Sequence, residues 1–360
     1  MQARSSGLAR TGRAGKTLRM RRIALAGLAV AACTVPLPTD TPMPPVAKRV
    51  PHENRWHDEV YVDHYYWLRE KDQPAVRAHL EAENAYTEAM TAGLQPLQDA
   101  LYAEWIDRVE ETDLSVPTRR GAYHYYVRTV EGLQYPIRCR RRAAPDGDYD
   151  PAADEEVLLD QNEMAEGLDY LGIGDTEVSD DGGRYAYTTD TTGFRQYTLH
   201  VKDLETGRVH ADLAERVTSL AWGADGETLF YVTEDPVTKR SDKLWRRRVD
   251  GAPELLFEEP DELYRIGVNR TKDGRFVLLG CFSTDTYEWR CLAADEPAGA
   301  FRVVLPRQKG HRYTVEHRDG SFYLRTDLDA LNWRVVRAPA DDPRPTNWHH
   351  HQATPRPAPA

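Results

Sequence analysis

The chain has 360 residues and a formal net charge of −11 at pH 7. This acidic balance argues against a nucleic-acid partner, because binding to phosphates requires a basic surface. The four cysteines (Cys33, Cys139, Cys281 and Cys291) include no Cys-x-x-Cys pair of the kind that indicates a zinc or dithiol redox site.

The first 32 residues contain seven basic residues and no acid, and they end in the apolar run 23–32. Ten apolar residues are too few to span a bilayer but suit the core of a signal peptide. The string Leu28-Ala-Val-Ala-Ala-Cys33 resembles the lipobox of bacterial lipoproteins, in which the cysteine becomes the lipidated N-terminus. We therefore expect residues 1–33 to be a signal peptide with a lipobox and Cys33 to be lipidated. An ordinary secretory signal, with Cys33 incidental, is the alternative.

On this interpretation the mature chain is exported and anchored by lipid to the periplasmic side of a bacterial membrane. Removal of the seven positive charges takes the formal net charge from −11 to −18. Such a charge suits basic ligands, although exported proteins are often acidic for solubility alone.

Residues 34–45 are rich in Pro and Thr and are expected to form a disordered tether. Residues 46–112 are predicted to form an N-terminal extension with two helices. Pro74 is a helix-start signal, and residues 74–91 are rich in Ala and Glu. The second helix is predicted from apolar residues spaced at 3, 4, 4 and 4, which are Leu94, Leu97, Leu101, Trp105 and Val109. We expect that apolar face to pack against another surface.

From residue 115 the apolar period becomes two, and an Asp-Gly turn with strands on either side recurs at four regularly spaced positions. The pairs are separated by 44, 48 and 46 residues and lie at Asp181-Gly182, Asp225-Gly226, Asp273-Gly274 and Asp319-Gly320. Repeats of this length made of short strands are typical of propeller blades. We predict a partial β-propeller over residues 113–342, with blades near 115–166, 167–214, 215–260 and 261–306, and a partial blade from 307. Residues 343–360 are predicted to be a disordered Pro/His-rich tail.

Aromatic residues also recur between these turns, at Tyr197, Trp245, Trp289 and Trp333. They could belong to a cofactor site, but packing of one blade against the next explains them better. Acid pairs such as Glu258-Glu259 are interpreted as surface charge. Cys281 and Cys291 could lie on neighbouring strands, and the sequence leaves open whether they form a disulfide or remain buried thiols.

Several separated phrases resemble the prolyl oligopeptidase family. They are Pro44-Pro-Val-Ala-Lys-Arg49, Val62-Asp-His-Tyr-Tyr-Trp-Leu-Arg69, Glu83-Asn84, Leu204-Glu-Thr-Gly207, Asp235-Pro-Val-Thr238 and Leu244-Trp-Arg246. Two later phrases are most similar to the oligopeptidase B branch, namely Val304-Leu-Pro-Arg307 and Tyr323-Leu-Arg-Thr326. The resemblance covers residues 44–340. It implies a helical extension and a seven-bladed propeller that limits access to a C-terminal α/β-hydrolase domain, where a Ser-Asp-His triad cleaves short peptides after Arg or Lys.

The chain departs from this family in one respect that matters for the chemistry. The strained turn that exposes a hydrolase serine needs Gly-x-Ser-x-Gly, and the sequence contains no such string. We therefore expect a mainly β fold: an incomplete propeller of about five of seven blades, preceded by the helical extension, without the hydrolase domain. No catalytic, cofactor-binding or metal-binding residue is predicted, since His349, His350 and His351 fall in the Pro-rich tail and lack the geometry of a metal site.

The preferred functional hypothesis is the propeller region of an oligopeptidase B-like serine peptidase. Its substrates would be short basic peptides if a hydrolase domain were supplied, and no cofactor is expected. The alternatives are a non-catalytic, lipid-anchored propeller that binds peptides or proteins, and a truncated remnant.

Overall fold

The computed structural model describes residues 42–350, so Cys33 and residues 351–360 lie outside the described part of the chain. The chain divides into two compact units, with the boundary between Arg108 and Val109. Within residues 42–350 no helix is long and apolar enough to cross a membrane.

The first unit contains a hairpin and two helices. Strands β1 (His52–Trp56) and β2 (Glu59–Asp63) pair in antiparallel fashion, and helix α1 (Pro74–Thr91) follows them. Pro74 occupies the first turn of α1, where its missing N–H has no intrahelical partner to lose. A short 3₁₀ turn, Ala92–Leu94, leads into α2 (Gln95–Ile106).

The apolar face of α2 is exposed within the described residues. Leu97 retains 58% and Trp105 retains 63% of its accessible surface. The expectation that this face packs against another surface therefore stays a prediction.

The second unit consists of five four-stranded antiparallel sheets, each a meander in chain order, which we call blades 1 to 5. Blade 1 contains β3 (Thr118–Arg120), β4 (Tyr123–Arg128), β5 (Ile137–Arg142) and β6 (Glu155–Asp160), followed by the short helix α3 (Gln161–Met164). Blade 2 contains β7 (Gly172–Val178), β8 (Arg184–Asp190), β9 (Thr198–Asp203) and β10 (Val209–Ala214). Blade 3 contains β11 (Val217–Trp222), β12 (Thr228–Glu234), β13 (Ser241–Arg248) and β14 (Glu254–Glu258). Blade 4 contains β15 (Arg265–Arg270), β16 (Phe276–Phe282), β17 (Tyr287–Ala293) and β18 (Arg302–Leu305). Blade 5 contains β19 (Tyr313–Arg318), β20 (Ser321–Thr326), β21 (Arg334–Pro339) and β22 (His349–His350).

The core lies between successive blades, because both faces of a central blade are covered. In β16, Val277 and Leu279 pack in the cluster shared with blade 3, while Leu278 packs in the cluster shared with blade 5. Side chains alternate between the two faces of a strand, so a strand buried on both faces is apolar along its whole length. The first strands of neighbouring blades lie side by side, with β11 next to both β7 and β15.

Direct hydrogen bonds also connect these first strands. The amide of Leu220 on β11 donates to Asp175 of β7 over 3.0 Å, and the amide of Val268 on β15 donates to the hydroxyl of Ser219 over 2.9 Å. Burial raises the pKa of Asp175. The propeller-like, mainly β architecture predicted from the repeat agrees with this arrangement.

The Asp-Gly turns connect the first and second strands of blades 2 to 5. All four glycines have positive φ, and only the last turn also has its Asp in this region (Asp319, φ 49). That turn is a two-residue hairpin, with Arg318 paired to Ser321. In blades 2 to 4 only the glycine needs the left-handed conformation, because the turns there are longer.

The face of blade 1 that points away from blade 2 is covered by an insertion of the same blade, residues 143–154. Tyr149 lies edge-on to Tyr126, with ring centroids 6.0 Å apart, and edge-on to His124. Arg141 donates to the carbonyl of Ala153 over 2.5 Å and so ties the insertion back to β5. The first blade thus supplies a cap for its own apolar residues, as terminal units of repeat proteins do.

Two sequence expectations differ from the structure. The sequence predicts a disordered tail from residue 343, but part of that segment belongs to blade 5, since β22 pairs with β21 through Val336 and His350. Trp348 also donates to the carbonyl of Pro343 over 2.9 Å, so residues 343–348 are held by a side-chain contact of their own. Trp333 does not share the third-strand position of Trp245 and Trp289; it precedes β21, with a φ of 62°.

Cys281 and Cys291 are free thiols on opposite faces of blade 4. Cys281 packs toward blade 3 and Cys291 toward blade 5, so the sheet itself separates the two sulfur atoms. Burial raises the pKa of Cys281 to about 12 and that of Cys291 to about 11, which keeps both thiols protonated and unreactive.

The interpretation of Glu259 as surface charge was wrong. This residue has no accessible surface and is held by Arg307 of blade 4, which also lies 4.0 Å from the Tyr264 ring centroid. Arg307 contacts Glu288 at 3.5 Å as well. The partner lies 48 residues away along the chain, so the local sequence pattern contained no sign of the pair.

We predict that Arg307→Met destabilises the chain by about 3–5 kcal/mol, because it leaves Glu259 buried without its cation. Urea unfolding measures the change. Arg318→Met is the matched control, since Arg318 is 78% exposed and pairs only with the neighbouring Asp319. Glu259→Gln combined with Arg307→Met should recover part of the loss. Equal midpoints for Arg307→Met and Arg318→Met would contradict the assignment.

Candidate ligand site at the turn end of the propeller

The turns between first and second strands gather at one end of the propeller and line a cavity of about 570 Å³. Blades 1 to 4 all contribute to its wall. Its basic residues are Arg119, Arg120, Arg270, Lys272 and Arg275, and its acidic residues are Glu177, Asp180, Asp181 and Asp273. Tyr123, Tyr125 and Trp222 supply its aromatic part. Because it gathers turns and charged side chains from four blades, this cavity is the candidate functional site.

Two ion pairs between blades cross the opening of this cavity, which we call the mouth. Arg120 of blade 1 pairs with Glu177 of blade 2, and Arg270 of blade 4 pairs with Asp180 of blade 2 at 2.7 Å. The second pair joins blades that are not neighbours, so it extends across blade 3. Burial opposes the charge on Arg120, but the hydrogen bond to Glu177 together with the nearby negative charges outweighs this effect and raises the pKa of Arg120.

The two remaining acids in the wall are held inside their own turns. The hydroxyl of Ser179 donates to Asp181 over 2.6 Å and lowers its pKa. Asp273 accepts from Thr271 over 2.8 Å and lies 2.6 Å from Nδ1 of His317 on blade 5. Burial alone would raise the pKa of Asp273, but its hydrogen bonds outweigh burial and lower it.

Arginines behind the mouth fix the turns in place. Arg140 donates to the carbonyl of Gly182 over 2.6 Å, and Arg184 donates to the carbonyl of Gly226 over 2.6 Å. Each bond connects one blade to the turn of the next. Arg140 belongs to the basic run 138–142, which therefore serves blade assembly rather than phosphate binding.

Other polar residues of the second unit take part in its secondary structure and hydrogen bonding. His200 accepts from the amide of Asp212 at Nδ1, over 3.3 Å, so its proton lies on Nε2 and points at Thr189. Ser321 begins strand β20. Residues 42–350 contain no group of three His, Cys, Asp or Glu side chains arranged to hold a metal ion.

The mouth cavity was not predicted from the sequence. The available signal was the basic residues beside the turns in blades 1 and 4, namely Arg119-Arg120 and Arg270-Thr-Lys272-Asp-Gly-Arg275. These residues form one site only because the arrangement of the blades brings together turns that are roughly 150 residues apart in the sequence.

Residues 44–353 match the family model of the prolyl oligopeptidase N-terminal β-propeller domain. The chain belongs to the prolyl oligopeptidase family. It is 38% identical to dipeptidyl aminopeptidase BI of Pseudoxanthomonas mexicana and 34% identical to protease 2 of Moraxella lacunata; these matches cover 86% and 83% of the chain. In both cases the chain spans only 44% of the relative's length.

Solved structures agree with this assignment. Oligopeptidase B from Leishmania major superposes with a TM-score of 0.75 at 29% identity, covering 86% of this chain and 46% of the other. The resemblance to the oligopeptidase B-like branch, stated from the sequence phrases, is confirmed.

We predict that Asp273→Asn lowers stability by about 1–3 kcal/mol at pH 6, because the charged acceptor between blades 4 and 5 is lost. The folded-state pKa of Asp273 lies below its ordinary value. Its contribution is therefore present above the unfolded pKa of about 3.9 and is lost as the pH falls through the folded value. Urea unfolding from pH 6 down to pH 3 should show the difference from the parent chain shrinking.

Asp319→Asn is the matched control, because Asp319 has the same place in the turn of blade 5 and is exposed. A constant difference across the pH range would contradict the role of the charged carboxylate.

Proposed function

We propose that this chain supplies the helical extension and five of the seven propeller blades of an oligopeptidase B-like serine peptidase that cleaves short peptides after Arg or Lys. The observation that carries the proposal is the match of residues 44–353 to the propeller domain, together with relatives of whose length the chain spans only 44%. The hydrolysis itself would belong to a Ser-Asp-His triad in a hydrolase domain outside this sequence.

The role proposed for the propeller is to limit access to that triad. The packing of the blades supports it, since β11 lies directly beside β7 and β15. The pair Arg270–Asp180 supports it too, because it crosses the mouth at 2.7 Å and must open before a chain can pass. Short basic peptides are the proposed substrates, and the net charge of −18 on the mature chain would draw them to the surface.

A chimera tests the proposal. The chain is fused to the remaining C-terminal part of the Moraxella lacunata protease 2, and it is assayed with a fluorogenic dipeptide ending in Arg. The chimera should cleave the dipeptide and spare a folded protein substrate, while the chain alone cleaves neither. Cleavage by the unfused chain, or no preference for Arg over Ala at the cleavage site, would overturn the proposal.

The gating part is tested by Arg270→Ala in the same chimera. Opening the mouth should raise the rate on peptides of about 30 residues relative to the dipeptide, because passage of the longer chain no longer requires a broken ion pair. Arg318→Ala, on an exposed turn outside the cavity, is the control. An unchanged ratio of the two rates would contradict gating at this mouth.

We also propose that Cys33 is lipidated and anchors the exported chain to the periplasmic side of a bacterial membrane. Expression in a Gram-negative host with labelled palmitate should label the membrane fraction, and Cys33→Ser should abolish the label. Cleavage without label in the parent chain would instead support an ordinary secretory signal, with Cys33 incidental.

A further inference from the structure

The carboxylates in the wall of the mouth cavity already have partners, and the basic side chains do not match them one for one. Glu177 and Asp180 are paired with arginines, Asp181 accepts from the hydroxyl of Ser179, and Asp273 is held by its own turn and by blade 5. Each acid is therefore occupied by a group of the protein. The five basic residues of the wall also exceed its four acidic residues by one, so the wall carries a net positive charge.

Three basic side chains have no hydrogen-bonded carboxylate among the described residues. Arg119 donates only to backbone carbonyls, those of Gly121 at 3.3 Å and Gly147 at 3.2 Å. Lys272 is exposed, and only its backbone amide is engaged, by Glu316. Arg275 lies 3.7 Å from Asp295, with both side chains more than half exposed, a separation too long for a hydrogen bond.

These three cations line one cavity, although they come from different blades. Arg119 belongs to the first strand of blade 1, and Lys272 and Arg275 flank the Asp273-Gly274 turn of blade 4. A volume of about 570 Å³ is enough for one or two residues of a peptide. Guanidinium and ammonium groups bind carboxylates by charge-assisted hydrogen bonds, and arginine does so in a bidentate way.

We propose that this cavity binds the C-terminal carboxylate of a short peptide. The identity of the ligand as a peptide rests on the proposed function, whereas the preference for an anion rests on the charges of the cavity alone. The mature chain carries a net charge of −18, so its surface elsewhere repels anions. A peptide would then meet the mouth with its C-terminus held and the rest of its length free to extend.

Calorimetric titration of the purified chain at low salt tests this inference without any catalytic readout. The ligands are N-acetyl-trialanine, its C-terminal amide and inorganic phosphate. The free acid should bind at least about tenfold more tightly than the amide, because only the acid presents a charged acceptor. Raising the salt concentration should weaken the binding of the acid, since the cations are partly exposed.

Variants locate the site. Lys272→Gln combined with Arg275→Gln should abolish the preference for the acid, while Arg318→Gln should leave it unchanged. Arg318 is the matched control because it also flanks an Asp-Gly turn but lies outside the cavity. All three side chains are exposed, and thermal melts verify that the variants remain folded.

Several outcomes would overturn the inference. Equal affinity for acid and amide, or no binding of either, removes the carboxylate site. Phosphate that binds as tightly as the acid and displaces it indicates a general anion site rather than a peptide site. A preference that survives the double variant places the site elsewhere. None of these results depends on whether a chimera hydrolyses peptides, so failure here and failure of the proposed function can be told apart.

Discussion

Face-to-face packing of the blades is the constraint on which the rest of this structure depends. A four-stranded sheet cannot bury its own two faces, so each central blade must be covered on both sides by its neighbours. The consequence is visible in β12 and β16, whose side chains are buried almost without interruption. Most side chains of these two strands are therefore committed to packing. The turns between strands remain free to contact a ligand.

The same turns also hold the blades together, which ties assembly to the candidate site. Arg140 and Arg184 reach forward to the carbonyls of Gly182 and Gly226, and Trp222 donates to the carbonyl of Glu177 over 3.0 Å. Positive φ at these two glycines turns the chain sharply enough to present each glycine carbonyl to the arginine of the preceding blade. A glycine of the repeat thus has two roles, one in the turn and one in the contact between blades.

The periodic features of the fold could be predicted from the sequence, and the non-periodic ones could not. The Asp-Gly repeat placed the first turns of blades 2 to 5, because a hairpin turn and its flanking strands are local. Glu259 and Arg307 could not be paired in advance, since the contact joins two blades through residues 48 positions apart. The last strand was missed for a related reason: His349 and His350 have no strand pattern and pair only because β21 offers an open edge. Family membership was predictable from separated phrases, whereas the charge imbalance of the mouth required the ring.

The mouth combines rigidity with unused charge, and that combination argues for a ligand rather than for structure alone. If its basic residues served only assembly, each would be expected to bind a neighbouring blade, as Arg120 and Arg270 do. Arg119 is instead fixed by backbone carbonyls, which orient the guanidinium without neutralising it. Lys272 and Arg275 flank a turn that Asp273 already anchors through His317, so their positions are set without the use of their charges. A cation that no carboxylate holds by a hydrogen bond costs little reorganisation when an anion binds, and this condition favours anion binding at this end of the propeller.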